Sequence, residues 1–198
     1  MSGVGRRHLR RVLAAIVIGC SVALVVPETA HALPKPRVDV IGDSITYTAN
    51  SEILTTLKKQ FKVYVSGRPG TWMAQNFTTI AHAPPAGDWV IELGTNDVGD
   101  DNANWASDFA TEVSLVGNEQ CVALVTVGTR LPGNDAVARG LDAAMAAVVS
   151  AQHNFHLVPW GTIEYKNPRW LLPDHVHPTA SGAQKLADLE WAALQNCQ

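Results

Sequence analysis

Along almost the whole chain, short runs of apolar and β-branched residues alternate with longer segments of helical spacing. Strands are expected at 38–41, 61–65, 89–93, 122–127 and 155–158, and helices at 45–60, 73–80, 105–116, 135–150 and 180–194. The run at 89–93 is nearly continuous in apolar residues, as a strand covered on both faces should be. Strands separated by helices of this length build a parallel sheet with right-handed crossovers, an α/β fold. In such sheets ligands bind beyond the carboxyl ends of the strands. The residues just after each strand therefore carry the information about function.

The first 32 residues stand outside this pattern. Arg6, Arg7, Arg10 and Arg11 form a basic start, an apolar run follows at 12–26, and Ala30-His31-Ala32 is an A-x-A processing site. The apolar run falls short of the about 20 residues that a membrane span needs. The segment reads as an export signal removed after Ala32, which leaves 33–198 as a single domain, secreted or associated with the cell envelope. Two variants are weaker. Val17-Ile18-Gly19-Cys20 resembles a lipoprotein site but the hydrophobic run continues past Cys20, and Arg6-Arg7-His8-Leu9 is a loose twin-arginine pattern.

Without the signal the chain carries 11 basic and 17 acidic side chains, a net charge of −6 with histidines neutral. There is no basic run to neutralise phosphates, so nucleic acid is not an expected partner, and stable membrane insertion is not expected either. The expected state is a monomer. Cys121 and Cys197 are the two cysteines left, and in an exported protein such a pair is expected to be oxidised. Topology agrees. Cys121 begins the fourth strand at the amino edge of the sheet, and the last helix, starting at the carboxyl edge, returns the chain to the amino edge near Cys197.

Four strand ends carry polar residues of one chemical kind. The first strand runs into Gly42-Asp43-Ser44, which puts a serine at the start of a helix, near the positive end of its dipole. Serine is also an ordinary N-cap there. The second ends at Ser66-Gly67-Arg68-Pro69-Gly70, where glycines let backbone N–H groups face a ligand. The third ends at Gly94-Thr95-Asn96-Asp97, whose Asn96 can aim its amide into the same cleft, as an oxyanion donor would. After the fifth strand, the long segment 161–178 closes with Asp174-His175-Val176-His177-Pro178. A carboxylate three residues before a histidine in a tight turn can accept its Nδ1–H and leave Nε2 free to take a proton from Ser44. Together these residues suit one acyl-transfer site.

Gly42-Asp43-Ser44, Gly70, Gly94-Thr95-Asn96-Asp97 and Asp174-His175-Val176-His177-Pro178 resemble the ordered blocks of the SGNH/GDSL hydrolases, over essentially the whole mature chain. The resemblance implies a flavodoxin-like three-layer α/β/α sandwich with a five-stranded parallel sheet in the order 2-1-3-4-5. It implies Ser44 as nucleophile, His177 as general base and then acid, and Asp174 as its orienter. The oxyanion donors would be the N–H groups of Ser44 and Gly70 and the Asn96 amide, with Gly67 the alternative to Gly70. Asp43 and Asp97 would be structural, bonding backbone in the edge loops. The chain departs from the pattern in reading GDSIT rather than GDSL.

The activity implied is a serine esterase that uses no cofactor and acts on a small-molecule or glycan ester, with small or short acyl groups favoured because the chain has no lid domain. Two alternatives are an esterase or transferase acting on O-acetyl groups of cell-envelope polysaccharide, and a non-catalytic binding module. No metal is expected. His175, His177 and Asp174 alternate in a turn and do not converge, and Asp97, Asp100 and Asp101 lack the spacing of a calcium loop. Trp72 and Trp170 are the candidates for walls of the substrate site.

Overall fold

A computed structural model of the protein describes residues 34–84, 86–100, 102–128 and 135–197. The export signal expected at 1–32 and the loop 129–133 after the fourth strand lie outside the described residues. Five strands, β1 (Arg37–Gly42), β2 (Lys62–Gly67), β3 (Asp88–Glu92), β4 (Cys121–Val125) and β5 (Phe155–Val158), form one parallel sheet in the order 2-1-3-4-5, as the resemblance implies. Gly42 is in register with Gly67 on one side and Glu92 on the other, so the three strands end level at the carboxyl edge.

The helices are α1 (Ser44–Leu57), α2 (Met73–His82), α3 (Thr95–Gly99), α4 (Trp105–Val116), α5 (Asp135–Ala151), α6 (Trp160–Lys166) and α7 (Ala180–Gln195). The pleat of the central strands divides the core into two halves. Val38, Val40, Val90 and Ala123 pack under α1 and α7 with Ile45, Ile53, Leu57, Leu186 and Leu194. Ile41, Ile91, Val122 and Leu124 face the other way, against Met73, Phe109, Leu141 and Met145 of α2, α4 and α5. The architecture is a three-layer α/β/α sandwich.

Two segments where no helix is expected contain one. The polar stretch 94–104 holds the single turn of α3, and 161–178 holds α6 and a 3-10 turn at Pro168–Trp170. Both are too short to show a helical period, and α6 is anchored by Trp160, which is fully buried. Strand β2 starts at Lys62 rather than 61, with Phe61 buried just before it.

Cys121 and Cys197 are disulfide-bonded with Cα atoms 5.7 Å apart, closing a loop of 76 residues in sequence separation. The bridge ties the end of α7 to the start of β4. A loop of this size stabilises by roughly 4 kcal/mol in the chain-entropy account. Replacing both cysteines by serine should therefore lower Tm by on the order of 10 °C, measured by calorimetry against the unreduced protein. An unchanged Tm would refute a structural role for the bridge.

Candidate active site

The turn from β1 into α1 is built by Asp43. Its Oδ1 accepts the Ile45 N–H at 2.9 Å and its own N–H donates to the Glu92 carbonyl at 3.1 Å, so Asp43 is the N-cap of α1. Ser44 is then the first helical residue, and its hydroxyl is not used for capping. Instead its Oγ lies 2.9 Å from His177 Nε2. The ring's Nδ1 lies 3.0 Å from Asp174 Oδ2. The other Asp174 oxygen, Oδ1, accepts the N–H groups of Val176 at 2.9 Å and His177 at 3.0 Å.

This second pair of bonds locks the carboxylate in a tight turn beside the ring. Partial burial raises the Asp174 carboxyl, but hydrogen bonds from Val176, His177 and the imidazole, with the imidazole's charge, outweigh it and carry it down to about 2. The turn is closed onto the segment just before it. Leu172 N–H donates to the His177 carbonyl at 2.8 Å, and Thr179, which caps α7, donates its N–H to Trp170 at 2.8 Å. His175 sits at the apex with φ of 61°, a left-handed conformation uncommon for a residue with a Cβ.

The two candidate glycines do different things. A Cβ on Gly67 would come within 2.5 Å of the Tyr47 nitrogen, so Gly67 is the point where β2 touches the first turn of α1. Gly70 has φ of +70° and open space where its Cβ would be. Among the described residues, neither the Gly70 nor the Ser44 N–H has a protein acceptor. The Gly70 loop is braced by α3. Asp97 Oδ2 accepts the Met73 N–H at 3.0 Å, Asp100 Oδ2 accepts Trp72 Nε1–H at 2.8 Å, and Asn96 Nδ2 donates to the Thr71 carbonyl at 3.0 Å. Asn96 Nδ2 also donates to Asp43 Oδ2 at 3.1 Å, so both amide hydrogens are engaged. An oxyanion arriving here has to share or displace one of them.

Trp72 is about a third exposed at the entry of α2. Trp170 is half-buried against the core formed by α1 and α7, supporting the base of the Asp174–His177 turn. One acid next to the site is not signalled by the sequence blocks. Glu92 at the end of β3 is buried, and its Oε2 accepts both the N–H and the hydroxyl of Thr46 at 3.0 Å. The available signal is an acid inside an otherwise apolar strand run, which has to find a partner when buried. Among the described residues, the one group placed to hold a metal is Cys121, His156 and Cys197, at the opposite edge of the sheet, where the two sulfurs are bonded to each other.

No protein-family model and no curated protein matches the chain. Solved structures do. The catalytic domain of peptidoglycan O-acetyltransferase A from Streptococcus pneumoniae superposes with a TM-score of 0.72 at 20% identity, covering 83% of this chain and 96% of that one. A lipolytic G-D-S-L family protein from Veillonella parvula gives 0.67 at 16% identity, with 80% and 98% covered. The chain has the SGNH/GDSL hydrolase fold. A family 3 carbohydrate esterase from Clostridium thermocellum shares the fold at a TM-score of 0.61 and 13% identity, covering 82% of this chain and 96% of its own. In this fold the carboxyl edge of the sheet is where β1, β2 and β3 end level, and Ser44, Gly70, Asn96, Asp174 and His177 all stand there.

Proposed function

We propose that this protein is an exported serine esterase that cleaves small or short-chain carboxylic esters through an acyl-enzyme. The observation that carries the reading is the continuous chain of hydrogen-bonding atoms from Asp174 Oδ2 through the imidazole to Ser44 Oγ. In the first half-reaction Ser44 Oγ bonds to the acyl carbon and its proton passes to His177 Nε2, which returns it to the departing alkoxide. In the second, His177 takes a proton from water, the hydroxide attacks the acyl carbon, and Ser44 leaves with the proton as the acid is released. The Ser44 and Gly70 N–H groups and the Asn96 amide receive the oxyanion of each tetrahedral intermediate. Gly70 is preferred to Gly67 because its N–H is unpartnered among the described residues and its α-carbon faces open space.

The low carboxyl of Asp174 keeps the orienting charge in place at any working pH. The reading is supported by the likeness to esterases of the same fold. No helix among the described residues is long and apolar enough to cross a membrane. The basic and apolar start of the sequence and the oxidised cysteine pair favour secretion or a place in the cell envelope.

The test is covalent capture. A fluorescent organophosphonate should label the protein stoichiometrically and should not label Ser44→Ala, which should also lose hydrolysis of p-nitrophenyl acetate. Full activity in Ser44→Ala would end the proposal. A second reading keeps the site and changes the substrate to O-acetyl groups on envelope polysaccharide, released to water or passed to a sugar. It is favoured by the superposition on an O-acetyltransferase and a carbohydrate esterase, and by the partly exposed Trp72 indole beside the cleft. Acetate release from acetylated glycans, measured with and without a sugar acceptor, separates it from simple ester hydrolysis.

A further inference from the structure

A pair of buried acids lies beneath the nucleophile turn. Asp43 is fully buried and Glu92 is 2% exposed. Their carboxyl groups lie side by side at the start of α1, where Asp43 Oδ1 accepts the Ile45 N–H at 2.9 Å and Glu92 Oε2 accepts the next one, from Thr46, at 3.0 Å. Two buried carboxyls so placed are not both charged, and the pair retains a proton. The remaining bonds locate it. Glu92 Oε2 is an acceptor for the Thr46 N–H and hydroxyl, Asp43 Oδ1 for the Ile45 N–H, and Asp43 Oδ2 for the Asn96 amide. Both Asp43 oxygens thus already accept a donor, whereas Thr46 engages Glu92 through Oε2 alone, which leaves Oε1 as the oxygen assigned the proton.

The other charged groups facing the pair are Asp97 on α3 and His177 on its loop. Arg68, on the loop after β2, is turned away to the Gln75 carbonyl and Thr79. Burial and the neighbouring carboxyl push Glu92 well above the ordinary glutamate range.

We propose that Glu92 is a positioning residue, a neutral acid that donates its proton to Asp43 and thereby holds Asn96 in place to serve the oxyanion. The proposal rests on Asn96 being an oxyanion donor, as in the function proposed above. One Asn96 hydrogen is fixed on Asp43. The other, on the Thr71 carbonyl, is the one that turns to the developing charge. When Glu92 loses its proton, two anions face each other across one hydrogen bond. Asp43 moves off, and Asn96 loses the acceptor that aims it. An oxyanion donor acts mainly in the transition state, so kcat falls and KM holds.

The experiment is the pH profile of kcat for p-nitrophenyl acetate. In Glu92→Gln the amide nitrogen donates to Asp43 at every pH while its oxygen still accepts from Thr46. This variant should keep kcat within about threefold at pH 7 and should lack the wild-type fall at alkaline pH. Glu92→Met removes the donor and should lower kcat tenfold or more, with KM within about threefold. Thr46→Val leaves the pair intact but removes a bond that favours the charged form of Glu92, and should move the alkaline fall to higher pH.

The proposal is overturned if Glu92→Gln keeps the wild-type alkaline fall, if it loses as much kcat as Glu92→Met, or if Thr46→Val leaves the fall where it was. Asn96→Ala separates this failure from that of the function reading. A loss of about 10²–10³ in kcat there, with an unaltered profile in Glu92→Gln, removes only the proton bridge. Full activity in Asn96→Ala removes Asn96 from the oxyanion site and the bridge with it.

Discussion

Replacing Asp174 by asparagine should lower kcat on p-nitrophenyl acetate by about 10⁴ while the protein stays folded. The size of the effect follows from how the turn is wired. Oδ1 of Asp174 accepts two backbone N–H groups, from Val176 and His177, and an asparagine keeps those bonds only by placing its oxygen there. Its amide nitrogen then faces His177 Nδ1, which has to become an acceptor. The proton moves to Nε2, where it blocks proton transfer from Ser44. Since the side chain is nearly half exposed, its removal leaves no buried charge stranded, and Tm should change little. Parallel measurements of kcat, organophosphonate labelling rate and Tm check this. A loss below tenfold would mean that the carboxylate does not set the tautomer.

The second large effect is on stability. Glu112 on α4 and Glu190 on α7 are fully buried, neither carboxyl oxygen has a hydrogen-bond partner among the described residues, and burial pushes both up to about 8. Proximity to Asp97 adds to the rise at Glu112. Because the folded protein holds these protons more tightly than the unfolded chain, where the group titrates near 4.5, stability declines as pH rises from 4.5 and levels off above 8.

The full decline is on the order of 4 kcal/mol for each site, together comparable with the whole stability of an ordinary domain. Below pH 4 the sign reverses, because Asp174 is held low and its contribution disappears on protonation. The protein should therefore be most stable near pH 4–5. Glu190→Met should raise Tm by several degrees at pH 8 and by much less at pH 5. Equal Tm values for the wild type at pH 5 and pH 8 would contradict the account.

Much of this is legible in the sequence. Strands β1, β3 and β4 are covered on both faces, so their sequences are largely apolar and their positions are plain. Ser44, Asn96, Asp174 and His177 were readable because each stands directly after a strand or before a helix, where topology alone brings distant segments together. What failed was short or paired at long range. Helix α3 is a single turn in a polar stretch, with no period to detect.

Glu92 reads as a single polar residue inside an apolar run, because its partners Asp43 and Thr46 are nearly fifty residues away and nothing local links them. Glu112 and Glu190 fall at positions where a helix could equally turn an acid outward, and only the packing of α4 and α7 buries them. The choice between Gly67 and Gly70 needed φ values and the approach of Tyr47, neither of which a glycine-rich turn announces.

Ser44 begins the first helix and His177 stands just before the last, 133 residues later, and these two helices lie side by side on one face of the sheet. A chain emerging from synthesis thus carries its serine at the start of α1 long before the histidine exists. On the proposed mechanism no fragment ending before His177 can hydrolyse an ester. Catalytic competence waits for the segment that docks α7 beside α1.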